Sequence, residues 1–224
     1  MSEYDLHYLP VSLGEAMDKL SILDIKLEKI TDSRRENVKI EYNLLFKMLE
    51  KDLDKYNLLY KIMKIINLEI WDMMNLLRDA EEYNHDYMVL CRECMISNDV
   101  RFRIKNKINF VSNCELKEQK GYKVMCILFD VRNYTNVKDL INPIKYYSFL
   151  YDEIIILTNE KDKKVFENEF NYDPTVKIIL EPLDSYILYK KEFYINNEKD
   201  TPLESLYNYL EITDKIKENY FNNF

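Results

Sequence analysis

Four polar residues follow short apolar runs in the second half of the chain and could form an active site: Asp130, Arg132, Asn159 and Glu181. If these runs are parallel strands, their carboxyl ends meet at one edge of a sheet, where such sheets bind ligands. There Asp130 could act as a base or metal contact, Arg132 could hold an anion, and Glu181 is the third candidate catalytic residue. Asn159 is a candidate ligand contact. The alternative is that strand ends are polar simply because chains turn in water.

A group of basic side chains in the first half could bind a phosphate or a sugar phosphate. Arg101 and Lys105 are four residues apart and align on one face of a helix. Arg103 and Lys107 alternate with them, so all four would share a face in a strand. The alternative is an ion-pair network with acids at the end of the preceding helix, namely Asp79, Glu81 and Glu82.

Charged pairs on the first predicted helix allow two interpretations. Asp18, Lys19, Asp24 and Lys26 could form a polar network between helices or a surface for a partner. Ion pairing within the helix would also explain them, at a few tenths of a kcal/mol per pair. Both interpretations stay open from the sequence.

Cysteine and histidine residues could be assembled into a zinc site from Cys91, Cys94, Cys114 and His85. Inside a helix, the same spacing places Cys91 and Cys94 on one face, where small apolar side chains also pack. We therefore assign no metal ligand, and the sequence does not identify a cofactor. The chain has no signal-peptide pattern, so we expect reduced thiols and a cytoplasmic protein.

Composition excludes several classes of function. The net charge of −8 weighs against a nucleic-acid partner, because a basic face supplies most of that affinity. Gly14 and Gly121 are the two glycines of the chain, so neither a dinucleotide-binding turn nor a phosphate-binding loop can exist. Charged residues interrupt the most apolar window, 58–77, and we expect no contact with a membrane.

The first half has the hydrophobic period of helices. Ser12 and Glu15 have the spacing of a capping box, which predicts a helix from about Leu13. Further helical patterns run over 40–53, 58–80, 87–95 and 100–111. Residues 31–37 are all polar and predict a turn after the first helix. The second pattern includes Ile40, Leu44, Leu45, Met48, Leu49 and Leu53. Oxygen atoms of Ser97, Asn98 and Asp99 could cap the last helix of this half.

The second half has the short apolar runs of buried strands, at 124–129, 153–157 and 176–180. Helical patterns separate them, which predicts parallel pairing with right-handed crossovers. Residues 186–195 could add an edge strand, and a last helix should follow Thr201. We predict an α+β fold, with an all-helical bundle over 1–122 and a small half-Rossmann-like α/β domain over 123–224. Its sheet should have three or four mostly parallel strands.

Four segments of the chain resemble a known family: 10–30, 68–81, 97–109 and 114–122. The first reads PVSLGEAMDKLSILDIKLEKI and the third reads SNDVRFRIKNKIN. Over about residues 9–122, their order and spacing are similar to an uncharacterised family of small bacterial and viral helical proteins. This domain of unknown function is often encoded near glycosyltransferases.

The resemblance implies which polar positions matter, but no reaction. The positions that the family favours include Asp18, Lys19, Arg78, Asp79, Asn98, Asp99 and Lys105. All of these except Asp79 are our candidate ligand-binding residues. Arg101 and Asn159 complete the set. Residues beyond 122 are not covered by the resemblance.

We expect an accessory or interaction protein linked to glycan or nucleotide-sugar metabolism. A protein partner or self-association fits the long amphipathic helices, and a nucleotide-sugar or phosphate is the candidate ligand. The alternative is a glycosyltransferase-like or other group-transfer enzyme that uses the crevice at the strand ends. The missing glycines weigh against that alternative, because they usually let a sugar-nucleotide approach the backbone.

Overall fold

The structure is a computed structural model that describes residues 9–121, 124–171, 173–180 and 193–195. Its helices are α1 Leu13–Lys29, α2 Arg34–Lys55, α3 Asn57–Asp79, α4 His85–Val111, α5 Ile141–Leu150 and α6 Glu160–Phe170. Its strands are β1 Cys126–Asp130, β2 Glu153–Leu157, β3 Val176–Ile179 and β4 Phe193–Ile195, and a 3-10 turn at Val137–Leu140 precedes α5. The predicted α+β fold is confirmed.

The first helix begins where the sequence predicts. The Ser12 hydroxyl accepts a hydrogen bond from the Glu15 N–H at 3.1 Å, which satisfies one free donor of the first turn. The carboxylate of Glu15 does not complete the capping box by binding back to Ser12. It accepts instead from Lys105 Nζ at 2.9 Å, so it joins α1 to α4.

Two predicted helix boundaries in the first half are wrong. The segment from His85 to Val111 is one continuous helix, although we predicted two helices with capping residues at 97–99. Ser97 is buried inside this helix. The packing of its side chain outweighs the slightly lower helix propensity of serine. The second helix begins at Arg34, inside the predicted turn, where Asp32 Oδ1 accepts from the Arg34 N–H at 2.9 Å.

The sheet has four strands in the order β3-β2-β1-β4, and every adjacent pair is parallel. The central register places Ile127 opposite Ile154. Helix α5 connects β1 to β2 and α6 connects β2 to β3, as predicted. The fourth strand is an edge strand, as proposed for 186–195. The predicted last helix after Thr201 and the boundary at Tyr122 lie outside the described residues.

The main core joins both halves of the chain. Residues such as Met17, Ile66 and Ile104 from the helical half belong to the same buried cluster as Ile127 and Ile154 from the sheet. The other face of the sheet buries a smaller cluster of Cys126, Leu128, Ile155 and Leu157, because side chains alternate along strands. Helix α4 contacts α1, α3 and α5. The division into two domains stays a prediction.

Within the described residues, every helix is too short or too polar to cross a membrane.

Candidate functional site

The strand-end group forms at the carboxyl edge of the sheet. Asp130 ends β1 and lies opposite Leu157, the last residue of β2. Arg132 donates from Nε and Nη2 to the two carboxylate oxygens of Asp130, at 2.9 and 2.6 Å. Asn159 donates from Nδ2 to the carbonyl of Arg132 at 3.0 Å. The structure therefore brings three of the four predicted residues together, and Glu181 lies outside the described residues.

The two charges of this group neutralise each other. Asp130 is mostly buried, whereas the Arg132 side chain is 40% exposed. A ligand anion at Arg132, or a proton taken up by Asp130, would compete with this bidentate pair. The Asn159 side chain also caps α6, because its Oδ1 accepts from the Asp162 N–H at 3.0 Å. Catalytic roles and group transfer at this edge stay predictions.

A second group joins three helices around Asp18, which is 1% exposed. Arg101 donates from Nε and Nη2 to the Asp18 carboxylate at 2.8 and 2.6 Å. Asn67 donates from Nδ2 to Asp18 at 2.8 Å and to the Ser21 hydroxyl at 2.7 Å. The hydrogen bond from Arg101 to Asp18 raises the pKa of Arg101. Asp18 is thus the centre of an interhelical polar network, which is one of the roles predicted for it.

Lys105 lies next to this network and binds two acids. Its Nζ contacts Glu15 at 2.9 Å and also Glu118, from the segment after α4. Burial alone would lower the pKa of Lys105, but the two carboxylates outweigh it and raise that pKa. The prediction that Arg101 and Lys105 pair with Asp79, Glu81 and Glu82 is wrong. Arg101 lies 16 residues beyond the start of α4, about 24 Å along the helix from the end of α3.

The other predicted ligand contacts lie apart from the Asp18 network. Lys19 pairs with Glu41 on α2 at 2.6 Å, and both side chains are about half exposed. Asp99 accepts from Lys120 at 2.8 Å. Arg78 and Asn98 lie exposed on the surfaces of α3 and α4. Their predicted role in binding a ligand stays a prediction.

Two buried ion pairs between α4 and the second half were missed by the sequence analysis. Arg103 Nε donates to Asp152 at 2.9 Å, and Lys107 Nζ donates to Asp173 at 2.6 Å. Arg103 and Lys107 are four residues apart, so they share the face of α4 opposite to Arg101 and Lys105. The alternating basic residues are therefore two helical pairs that face different neighbours. This second four-residue spacing is the signal that could have revealed them.

Helix α2 presents an apolar surface that we name the α2 stripe, made of Ile40, Leu44 and Met48. These residues recur every four positions and are 38%, 44% and 69% exposed. The face of α2 that packs inward is different and buries Leu49 and Leu53. The single helical pattern seen in the sequence therefore covers two faces, and the described residues pack against one of them.

Potential metal ligands do not gather in the described part of the chain, where no three His, Cys, Asp or Glu side chains come together. Cys91, Cys94 and Cys114 are half-buried free thiols, and Cys126 is buried. Burial raises the pKa of Cys126 to about 11, and the nearby charge of Glu153 adds to that effect. This thiol is therefore protonated and poorly nucleophilic near neutral pH.

Comparison with known proteins identifies the family but no activity. No curated protein and no solved structure matches the chain. A family of unknown function, DUF6165, matches residues 8–142, which is more than half of the 224 residues. The match includes α1 to α4 and continues through β1, beyond the resemblance over 9–122. The chain therefore belongs to the family of unknown function DUF6165.

Proposed function

We propose that this protein is an accessory protein that works by protein contact, and that it associates with a second copy of itself through the α2 stripe. The single observation that carries the proposal is the row of exposed apolar side chains at Ile40, Leu44 and Met48. Apolar surface of this kind is removed from water when a partner covers it. Repetition at four-residue spacing provides a continuous contact along two turns of helix.

The position of α2 in the fold supports this proposal. Only Leu49 and Leu53 are buried among its 22 residues, so α2 makes limited use of the chain's own core. A helix gains most of its stability from tertiary packing and not from intrinsic propensity. Packing against a second copy would cover the apolar surface of α2 that the described residues leave exposed.

Charge complementarity favours a second copy as the occupant. Residues 34–39 contain three basic side chains and one acid, whereas residues 50–55 contain three acids and two lysines. In an antiparallel pair centred on Leu44, the basic end of one α2 faces the acidic end of the other. A parallel pair would place like charges together. Antiparallel pairing also gives the closed two-fold symmetry that most homo-oligomers have.

A place beside enzymes of glycan or nucleotide-sugar metabolism belongs to the same proposal. Its support is the resemblance described for residues 9–122. The charged side chains of α1 and α4 support an accessory role in a different way, because Asp18, Arg101 and Lys105 hold helices together. Their charges are already engaged within the chain.

We expect the molar mass of the full chain in sedimentation equilibrium to rise with concentration towards that of a dimer. Met48→Glu should keep the protein monomeric, because it places a charge within the apolar contact. Met95→Glu is the matched control, since Met95 is 66% exposed on α4, against 69% for Met48 on α2. Both variants change exposed residues, and circular dichroism checks that they fold.

A wild-type protein that stays monomeric at all concentrations would contradict the proposal. So would equal association of the two variants.

A further inference from the structure

A cavity of about 300 Å³ lies between α4 and the amino-terminal edge of the sheet. Its walls include Arg103 and Asn106 from α4, Gln119 from the following segment, Asp152 before β2 and Thr175 before β3. The cavity is at the opposite end of the strands from Asp130. Its volume is at the lower limit of ligand pockets, which run from about 300 to 1,000 Å³. It has room for one small ring.

Arg103 contributes an unsatisfied donor to this wall. Its side chain is 3% exposed. Nε donates to Asp152 at 2.9 Å, and Nη1 donates to the Phe149 carbonyl at 3.5 Å. Nη2 is buried and makes no hydrogen bond to any described residue. A buried guanidinium nitrogen without an acceptor costs the desolvation energy of a charged group.

Asn106 contributes an unsatisfied acceptor. Its Oδ1 is buried and accepts no hydrogen bond from the described part of the chain. Arg103 and Asn106 are three residues apart on α4, so their side chains share a face. One side of the cavity therefore offers a donor and an acceptor to the same occupant.

This combination selects the chemistry of the occupant. A hydroxyl group both donates and accepts, so it satisfies Arg103 and Asn106 together. A phosphate monoester dianion only accepts and would leave Asn106 Oδ1 unpaired, whereas an ammonium only donates and would leave Arg103 unpaired. Each cation of the wall also has an acidic partner, because Arg103 pairs with Asp152, Lys177 with Glu153 and Lys120 with Asp99. A neutral ligand therefore fits better than an ion.

We propose that this cavity binds a small neutral polyol of the size of one monosaccharide, with its hydroxyl groups between Arg103 Nη2 and Asn106 Oδ1. The site is independent of the α2 stripe and goes beyond the proposed self-association. Both atoms are buried, so the side chains that flank the ion pairs must move for the ligand to reach them. The ligand would bridge α4 and the sheet, since the cavity is lined by both.

Saturation-transfer-difference NMR on the full chain tests this site with glucose, galactose, mannose and N-acetylglucosamine as probes, and with inorganic phosphate as the anionic comparison. We expect saturable binding of at least one sugar. Asn106→Leu should weaken that binding about tenfold, the effect of one lost hydrogen bond of about 1.4 kcal/mol. Asn168→Leu is the matched control, because Asn168 is an exposed asparagine of α6 that does not line the cavity.

A second measurement does not depend on the fold of a variant. In the wild-type protein, the sugar should shift the side-chain NMR signals of Arg103 Nε–H and the Asn106 amide. Binding of phosphate without any sugar, or no binding of any probe, would overturn the proposal. Sugar binding that Asn106→Leu leaves unchanged would also overturn it.

Discussion

Asp173→Ala is expected to lower the free energy of unfolding by about 3–5 kcal/mol, because it leaves Lys107 as an unpaired charge in the interior. The two side chains are 5% and 6% exposed, and Lys107 Nζ donates to Asp173 Oδ1 at 2.6 Å. Asp173 Oδ1 also accepts from the Thr175 hydroxyl at 2.7 Å. Once Asp173 is removed, Lys107 keeps only uncharged partners, such as the Ser148 hydroxyl at 3.1 Å and the Phe149 ring, whose centroid is 4.9 Å away.

Urea unfolding measures this loss, with Glu167→Ala as the control. Glu167 pairs with Lys163 in an exposed pair on α6, and its removal should cost no more than about 0.5 kcal/mol. The double variant Lys107→Met with Asp173→Ala should recover much of the stability, because it removes both charges together. If Asp173→Ala costs no more than Glu167→Ala, the buried pair does not stabilise the fold.

The same pair predicts how stability depends on pH. Burial alone would raise the pKa of Asp173, but the Lys107 charge and the Thr175 donors outweigh it, so that pKa lies below the ordinary value of 3.8. A lowered carboxyl pKa gives stability that is complete above the unfolded-state pKa and lost as pH falls through the folded-state pKa. Unfolding measured across the acid range should therefore show a shallower loss in Asp173→Asn than in the wild type.

Gly14→Ala is expected to destabilise the protein by about 2 kcal/mol, although alanine is the better helix former by about 1 kcal/mol. Helices α1 and α4 approach most closely here, where the Gly14 N–H donates to Asn109 Oδ1 at 2.7 Å. An added Cβ would collide with the Lys105 carbonyl and lie 2.8 Å from Asn109 Oδ1. The backbone oxygen of a packed helix cannot move aside cheaply.

The second glycine provides the matched control, because an added Cβ at Gly121 meets nothing within 4 Å. Gly121→Ala should therefore change stability by less than about 0.5 kcal/mol in either direction. Thermal unfolding of both variants beside the wild type measures the difference. Equal melting temperatures for the two variants would show that α1 and α4 do not pack as closely as described.

Local chemistry explains why most elements could be predicted from the sequence. The cap at Ser12 and the apolar run at 153–157 each depend on neighbouring residues alone. The continuity of α4 could not be predicted in this way. Ser97 is a good capping residue by type, and only its burial against other elements keeps it inside the helix.

The sites were less predictable because their partners are distant in sequence. Asp18 and Arg101 are separated by 83 residues, and Glu15 and Lys105 by 90. No periodicity within either helix specifies which faces meet. Asp130, in contrast, was placed correctly by the rule that parallel strands end at one edge. Its pairing with Arg132 depends on the turn after β1, which the rule does not describe.

Disulfide crosslinking of Leu44→Cys probes the proposed pairing of two copies through α2. Antiparallel pairing of α2 places residue 44 of both copies at the two-fold axis, within the short distance that a disulfide requires. The background should carry Cys91→Ser, Cys94→Ser and Cys114→Ser and keep Cys126, which is buried. Under mild oxidation we predict a covalent dimer for Leu44→Cys and a monomer for Met95→Cys in the same background. If the two variants crosslink equally, or if folded Leu44→Cys does not crosslink at all, the proposed pairing through α2 is contradicted.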